Sequence, residues 1–202
     1  AIASSFYWGL GALAQINIDK FATEFLNVRQ DWAMALLVAL SAGLAFGALL
    51  AGKLSLGRVA LGLVPIGAAC IAVFCVILSF TPSVPKPESM LSASPTSFGF
   101  LFGATALLLM GLAAGLFDIP LLATLQTDSP EEHRGHILAT YNFLSFSAMA
   151  LAAVFQGVLA SFPVKVGDIT GLNAAQIWFF CGAITLIVFA ITLRAFAIPV
   201  LR

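Results

Sequence analysis

The sequence predicts an all-α integral membrane fold of six transmembrane helices, and three observations carry that prediction. Apolar residues make up 61% of the 202 positions while charged residues fall to 9%, against about 25% in soluble domains. Mean hydropathy is +1.06. The apolar residues gather in six runs, each close to the roughly 20 residues that cross a bilayer core. A soluble fold with so few charges would have no polar skin to face water. Nine Lys and Arg balance nine Asp and Glu, so no basic field exists to hold nucleic acid as a partner.

The six segments are about 1–25, 32–51, 59–80, 98–125, 135–162 and 176–197. Each is expected to be a helix, because backbone groups in lipid must be satisfied within the segment and the period-2 alternation of a barrel strand is absent. The first opens at Ala1 without Met or a basic leader and is already apolar, so the chain reads as continuing from upstream sequence. Between the first and second segments Asp31 is placed to cap the next helix, with Trp32 at the interface. Gly52 to Arg58 forms a tight turn carrying Lys53 and Arg58 and no acid. Thr81 to Ser97 holds Pro82, Pro85, Pro87, Pro95 and five serines, which predicts an extended hydrated loop. Ser129-Pro130-Glu131-Glu132 has the form of a capping box with Pro at the first helical position. Asn173 with Gln176 is a similar, weaker cap for the last segment.

Sidedness follows from the basic residues of short loops. Lys53, Arg58, Arg134, Arg194 and Arg202 fall on one side, and Lys20, Arg29, Lys86 and Lys165 on the other. The balance is nearly even, so the acid-free Lys53/Arg58 turn decides: that turn, the 126–134 loop and both ends of the segment are expected in the cytoplasm. Cys70, Cys75 and Cys181 lie inside apolar runs without metal spacing and read as packing residues. His133 and His136 stand three apart with no third ligand near, so no metal and no cofactor is expected.

Small residues recur every fourth position at Gly43, Gly47 and Ala51, and again at Gly111 and Gly115. Such faces let helix backbones approach closely in lipid, either as a fixed contact or as one that slides. Asp118 lies about seven residues, about 10 Å, from one end of its segment. A charge there costs about 2.5–3.5 kcal/mol on insertion scales. Pro120 frees a carbonyl beside it. Tyr141 and Asn142 lie at similar depth on the next segment, so a polar cluster Asp118–Tyr141–Asn142 follows if those faces meet, as a helix clasp, a headgroup site or a proton-coupling site. Trp8, Gln15 and Asp19 share one face of the first segment, as part of a substrate path or as interfacial residues. The eighteen Phe suit lipid-facing bulk.

Several motifs resemble one family. Gly47-Ala48-Leu49-Leu50-Ala51-Gly52-Lys53-Leu54-Ser55-Leu56-Gly57-Arg58 looks like the glycine/basic loop of the major facilitator superfamily, and Pro130-Glu131-Glu132-His133-Arg134-Gly135 resembles its cytoplasmic P-x-x-x-R-G turn. The stretches Gly115 to Gln126, Ala139 to Phe143, Phe6 to Ala12 and Leu61 to Ala68 are similar to its lysophospholipid transporter branch. Two departures stand out. Gly52 replaces the acid usual before the basic residue, and Asp118 falls in a mainly apolar segment of the family.

The resemblance implies that residues 1–202 are the C-terminal half of a twelve-helix fold, built from two inverted three-helix repeats, with the N-terminal six-helix half missing. It implies a transporter, not an enzyme, moving a lipid or small-molecule substrate, a lysophospholipid, across the bacterial inner membrane by alternating access. An acyltransferase and acyl-carrier-protein synthetase would act as partners or as domains fused after Arg202. It also implies a substrate path along Trp8, Gln15, Asp19, Asp118, Tyr141 and Asn142, with Lys53, Arg58 and Arg134 in cytoplasmic gating or topology. The alternatives are a facilitator of another solute and a non-transporting six-helix scaffold.

Overall fold

The computed structural model describes residues 2–55, 60–82, 96–161, 165–166, 169–170 and 172–197. Arg58, Lys86 and Arg202, with Pro85, Pro87 and Pro95, lie outside the described residues. The chain is helical throughout its long elements: α1 (Ile2–Lys20), α2 (Gln30–Leu54), α3 (Leu63–Ser79), α4 (Phe98–Thr127), α5 (Arg134–Ser161) and α6 (Ala174–Ala197). A π-helical turn, Phe21–Phe25, extends α1, and Lys165–Val166 pairs antiparallel with Ile169–Thr170 before α6.

Four of these helices, α2, α4, α5 and α6, are long and apolar enough to cross a membrane. The other two differ from the expected six. α3 is apolar but only 17 residues long, and α1 carries Ser4, Ser5, Gln15, Asn17 and Asp19 in its 19. The surface carries the same message as the composition. Met34, Phe46, Phe143, Phe146, Leu151 and Ile187 are each more than half exposed, which is compatible with a multi-pass membrane protein.

Of three expected caps, two turn out differently and one forms. α2 starts one residue before Asp31, with Arg29 at the N-cap making no side-chain cap bond. Asp31 lies in the first turn and pairs with Arg29, where its carboxylate still faces the positive end of the helix. The reversal into α2 is made at Asn27, whose φ of 52° is in the left-handed region that Asn tolerates. The capping box at Ser129 does not form. Its hydroxyl donates back to the Leu125 carbonyl at the end of α4, so it is spent on an orphan acceptor of the preceding helix. Residues 130–133 form a turn closed by His133 N–H to the Pro130 carbonyl at 3.0 Å, and α5 begins only at Arg134. The cap read as weaker is the complete one. Gln176 N–H donates to Asn173 Oδ1 at 2.8 Å while Asn173 N–H donates to Gln176 Oε1 at 3.0 Å.

The helices pack chiefly in three pairs, α1 with α5, α2 with α4 and α3 with α6, and α3 also lies along α4. The two glycine stripes face each other across the α2–α4 pair. A Cβ on Gly43 would sit 1.9 Å from the Leu108 carbonyl oxygen, and one on Gly111 would sit 2.1 Å from that of Leu40. Here the two backbones touch directly, which only glycine permits. The core between the pairs is filled by Ile18, Phe21, Leu36, Leu78, Leu107, Phe117, Ile177 and Trp178, all nearly or fully buried.

Candidate functional site

The first two turns of α1 gather several of the bundle's buried polar residues. Ser4 Oγ donates to Asp118 Oδ1 on α4 at 2.6 Å. Trp8 Nε1 donates to the Tyr141 hydroxyl on α5 at 2.7 Å, and the hydroxyls of Ser5 and Ser145 lie 3.4 Å apart. Asp118 is buried. Tyr7 packs its ring on Phe117 beside it, with centroids 5.8 Å apart.

The expected Asp118–Tyr141–Asn142 cluster therefore does not gather as such. α1 takes the polar groups of both helices: Ser4 holds Asp118, Trp8 holds Tyr141, and Asn142 is exposed on a cavity wall. Depth along each helix can be counted from the sequence, but the neighbour that fills the gap between two helices cannot. Ser4 and Ser5 were missed for that reason. A serine in an apolar helix carries no signal until its partner is known.

Two cavities meet at Trp8. The narrower, about 130 Å³, runs between α1, α2 and α4 and is lined by Trp8, Gln15, Ser41, Leu44, Met110 and Met149 among others. The wider, about 460 Å³, lies between α1 and the facing ends of α4 and α5, lined by Trp8, Gln126, Tyr141, Asn142, Ser145 and Met149 among others. Trp8 and Met149 belong to both walls. Of the expected path, the structure thus brings Trp8, Gln15, Tyr141 and Asn142 to this cavity system. Asp19 stands apart at the exposed end of α1, accepting from Gln30 Nε2 at 3.0 Å.

A third cavity, an apolar groove of about 280 Å³, runs between α1, α5 and α6 past Leu13, Ala152, Phe155 and Phe180. The α1–α5 pair runs parallel, with Ser5 beside Ser145 and Gly9 against Ala148. Extending that register about two turns brings Asn17 level with Gln156. Both are buried. Asn17 Nδ2 donates to the Ala174 carbonyl at 3.0 Å, while its Oδ1, both amide atoms of Gln156 and the Trp178 indole nitrogen have no partner among the described residues.

The basic residues are distributed differently from one another. Lys53 is exposed at the end of α2. Arg134 is half-buried at the start of α5; one guanidinium nitrogen reaches the Ser129 carbonyl at 3.5 Å, and Nε is buried without a partner among the described residues. Among the described residues the salt bridge is Arg29–Asp31, and no group of three His, Cys, Asp or Glu gathers. The cysteines are free thiols, with Cys75 Sγ against Met110 Sδ at 3.7 Å. Both cavities set a few hydrogen-bonding groups, Gln15 and Ser41 in the narrower and Gln126 and Asn142 in the wider, in mainly apolar walls. No protein-family model, curated protein or solved structure matches this chain.

Proposed function

We propose that this chain is the C-terminal six-helix half of a major facilitator transporter that moves a lysophospholipid across the bacterial inner membrane by alternating access. The observation that carries the reading is the pairing of the helices. Renumbering α1, α2, α3 as α4, α5, α6 and the reverse turns α1–α5 into α4–α2, and α3–α6 into itself, so three of the four main pairs are preserved, while α3–α4 maps onto the much slighter α6–α1 contact. That is the pattern of a three-helix unit used twice. With spans that alternate in direction, an odd number per unit makes the second unit inverted relative to the first, as transporter repeats require.

The site fits the same reading. Both cavities have mainly apolar walls set with a few amide and hydroxyl groups, and they share Trp8 and Met149, which suits an amphiphile. In alternating access this half rocks against its N-terminal partner and exposes the cavity to one side at a time. Lys53 and Arg134 then lie on the cytoplasmic side, where reacylating acyltransferase and ligase activities would meet the delivered substrate.

The test uses the full reading frame, which should encode six further spans before Ala1. The purified whole protein in proteoliposomes should carry labelled lysophosphatidylethanolamine between leaflets faster than protein-free vesicles. A whole protein that folds, fills vesicles and leaves the lipid in place would favour another solute or a scaffold role. A reading frame that begins at Ala1 would remove the half-transporter assignment altogether.

A further inference from the structure

We infer that a water molecule is bound inside the bundle where α1, α5 and α6 meet, held by Asn17, Gln156 and Trp178. The site is separate from the Trp8 cavities and stands whether or not the chain moves a lipid.

Three contacts bring these side chains to one place. Asn17 Nδ2 donates to the Ala174 carbonyl at 3.0 Å, tying α1 to the first residue of α6. Two residues earlier, Leu172 N–H donates to the Leu159 carbonyl at 3.3 Å, tying the approach to α6 onto the last turn of α5. Gln156 lies one turn before Leu159, and the register of α1 on α5 sets it level with Asn17. Trp178 lies one turn past Ala174, and its ring stands edge-on to Phe21 with centroids 6.3 Å apart; Phe21 in turn is one turn past Asn17. Asn17 and Trp178 are 0% exposed and Gln156 3%.

The orphaned atoms name the ligand. Asn17 Oδ1 and Gln156 Oε1 are acceptors with no donor, and Gln156 Nε2 and Trp178 Nε1 are donors with no acceptor, among the described residues. Turning the Asn17 amide over does not change the count, because its oxygen would then face the Ala174 carbonyl oxygen. Two donors against two acceptors argue against an ion. A cation here would meet the N–H groups of Gln156 and Trp178, and an anion would meet two amide oxygens. An alcohol carries one O–H and serves one acceptor of the two. Water donates twice and accepts twice, and buried waters make about three such bonds on average. Without it, four polar atoms would be desolvated for nothing, in a setting where lipid supplies no substitute. Room lies alongside. The apolar groove of about 280 Å³ reaches Leu13, one turn before Asn17, and Leu159, against the roughly 30 Å³ that one water takes up. A joint closed through water joins three helices without fixing any direct pair of side chains.

The experiment is pulsed X-ray radiolysis of the whole protein in detergent, read by mass spectrometry. Bound water is split to hydroxyl radical where it sits, so side chains beside it are oxidised however deeply they are buried. Trp178 should be labelled in the wild type, with the exposed Trp32 as internal standard. After rapid mixing into heavy-oxygen water, the label on Trp178 should keep ordinary oxygen longer than the label on Trp32. In Gln156→Leu, close in volume but without hydrogen bonds, the Trp178 to Trp32 ratio should fall severalfold. That variant should also melt below the wild type, because it strands Asn17 Oδ1 and Trp178 Nε1; an empty site would instead gain by losing two orphaned atoms and melt higher. An unlabelled wild-type Trp178 overturns the site without any variant, as does a label that takes up heavy oxygen as fast as that on Trp32. A ratio unchanged in Gln156→Leu overturns it too, since the water would then sit in the narrow cavity that Trp178 also lines. A higher melting temperature for Gln156→Leu overturns it as well.

Discussion

The α2–α4 and α1–α5 pairs hold the bundle by opposite means. Between α2 and α4, glycine meets backbone, with no room for one more atom. Between α1 and α5 the contact is made by side chains: an indole on a phenol, hydroxyl beside hydroxyl, and cavities on either flank. Packing of the first kind has a single arrangement, because displacing one helix loses all its close contacts at once. Contact of the second kind can exchange partners one hydrogen bond at a time. The cavities accordingly lie along α1, and the rigid pair serves as one wall of the narrower one through Leu44, Met110 and Gly111.

The sharpest way to break this comparison is to add one methyl group to each interface. Gly47→Ala places its Cβ 2.1 Å from the Leu112 carbonyl oxygen, whereas Gly9→Ala places it 3.1 Å from that of Ala148. The first should destabilise by about 3 kcal/mol or prevent folding, and the second by about 1 kcal/mol. Thermal unfolding of the purified protein in detergent checks both; equal losses would mean the two interfaces do not differ in kind. A smaller effect is expected from Ser4→Ala. It takes from Asp118 the donor that Ser4 supplies at 2.6 Å, at about 1–3 kcal/mol for a buried acceptor left unpaired. If the variant melts with the wild type, the polar seam along α1 contributes nothing to holding the helices. The smallest effect has the opposite sign. Gly52 lies within α2, and a Cβ there meets nothing within 4 Å among the described residues, so Gly52→Ala should stabilise by about 0.5–1 kcal/mol through helix propensity alone. A loss instead would place an unseen neighbour against that turn.

The rigid pair was legible in the sequence because its signal is compositional and local: small residues at every fourth position of two apolar runs have few other physical uses. The polar seam was only half legible. The similar depth of Asp118 and Tyr141 follows from counting residues, yet Ser4 and the intervening position of α1 depend on helix order across the bundle, which no local pattern records. The caps show the same limit. Ser129 and Asn173 have similar motifs, but the first faces a carbonyl left open by α4 and turns to it, while the second follows a loop and has only its own helix to serve. α1 is the remaining case. Its polar residues lower its apolar character as a lone segment, and they acquire their purpose only in contact with α4, α5 and α6.

That dependence reaches into how the protein is made. The partners that satisfy α1 lie 114, 133 and 157 residues further along, at Asp118, Tyr141 and Ala174. The ribosome must therefore pass Asp118 before α1 meets the first of these partners, and Ala174 before it has all three. Until then Ser4, Trp8 and Asn17 stand without their mates, and an interrupted chain carries that segment as an unfinished end for proteases to find.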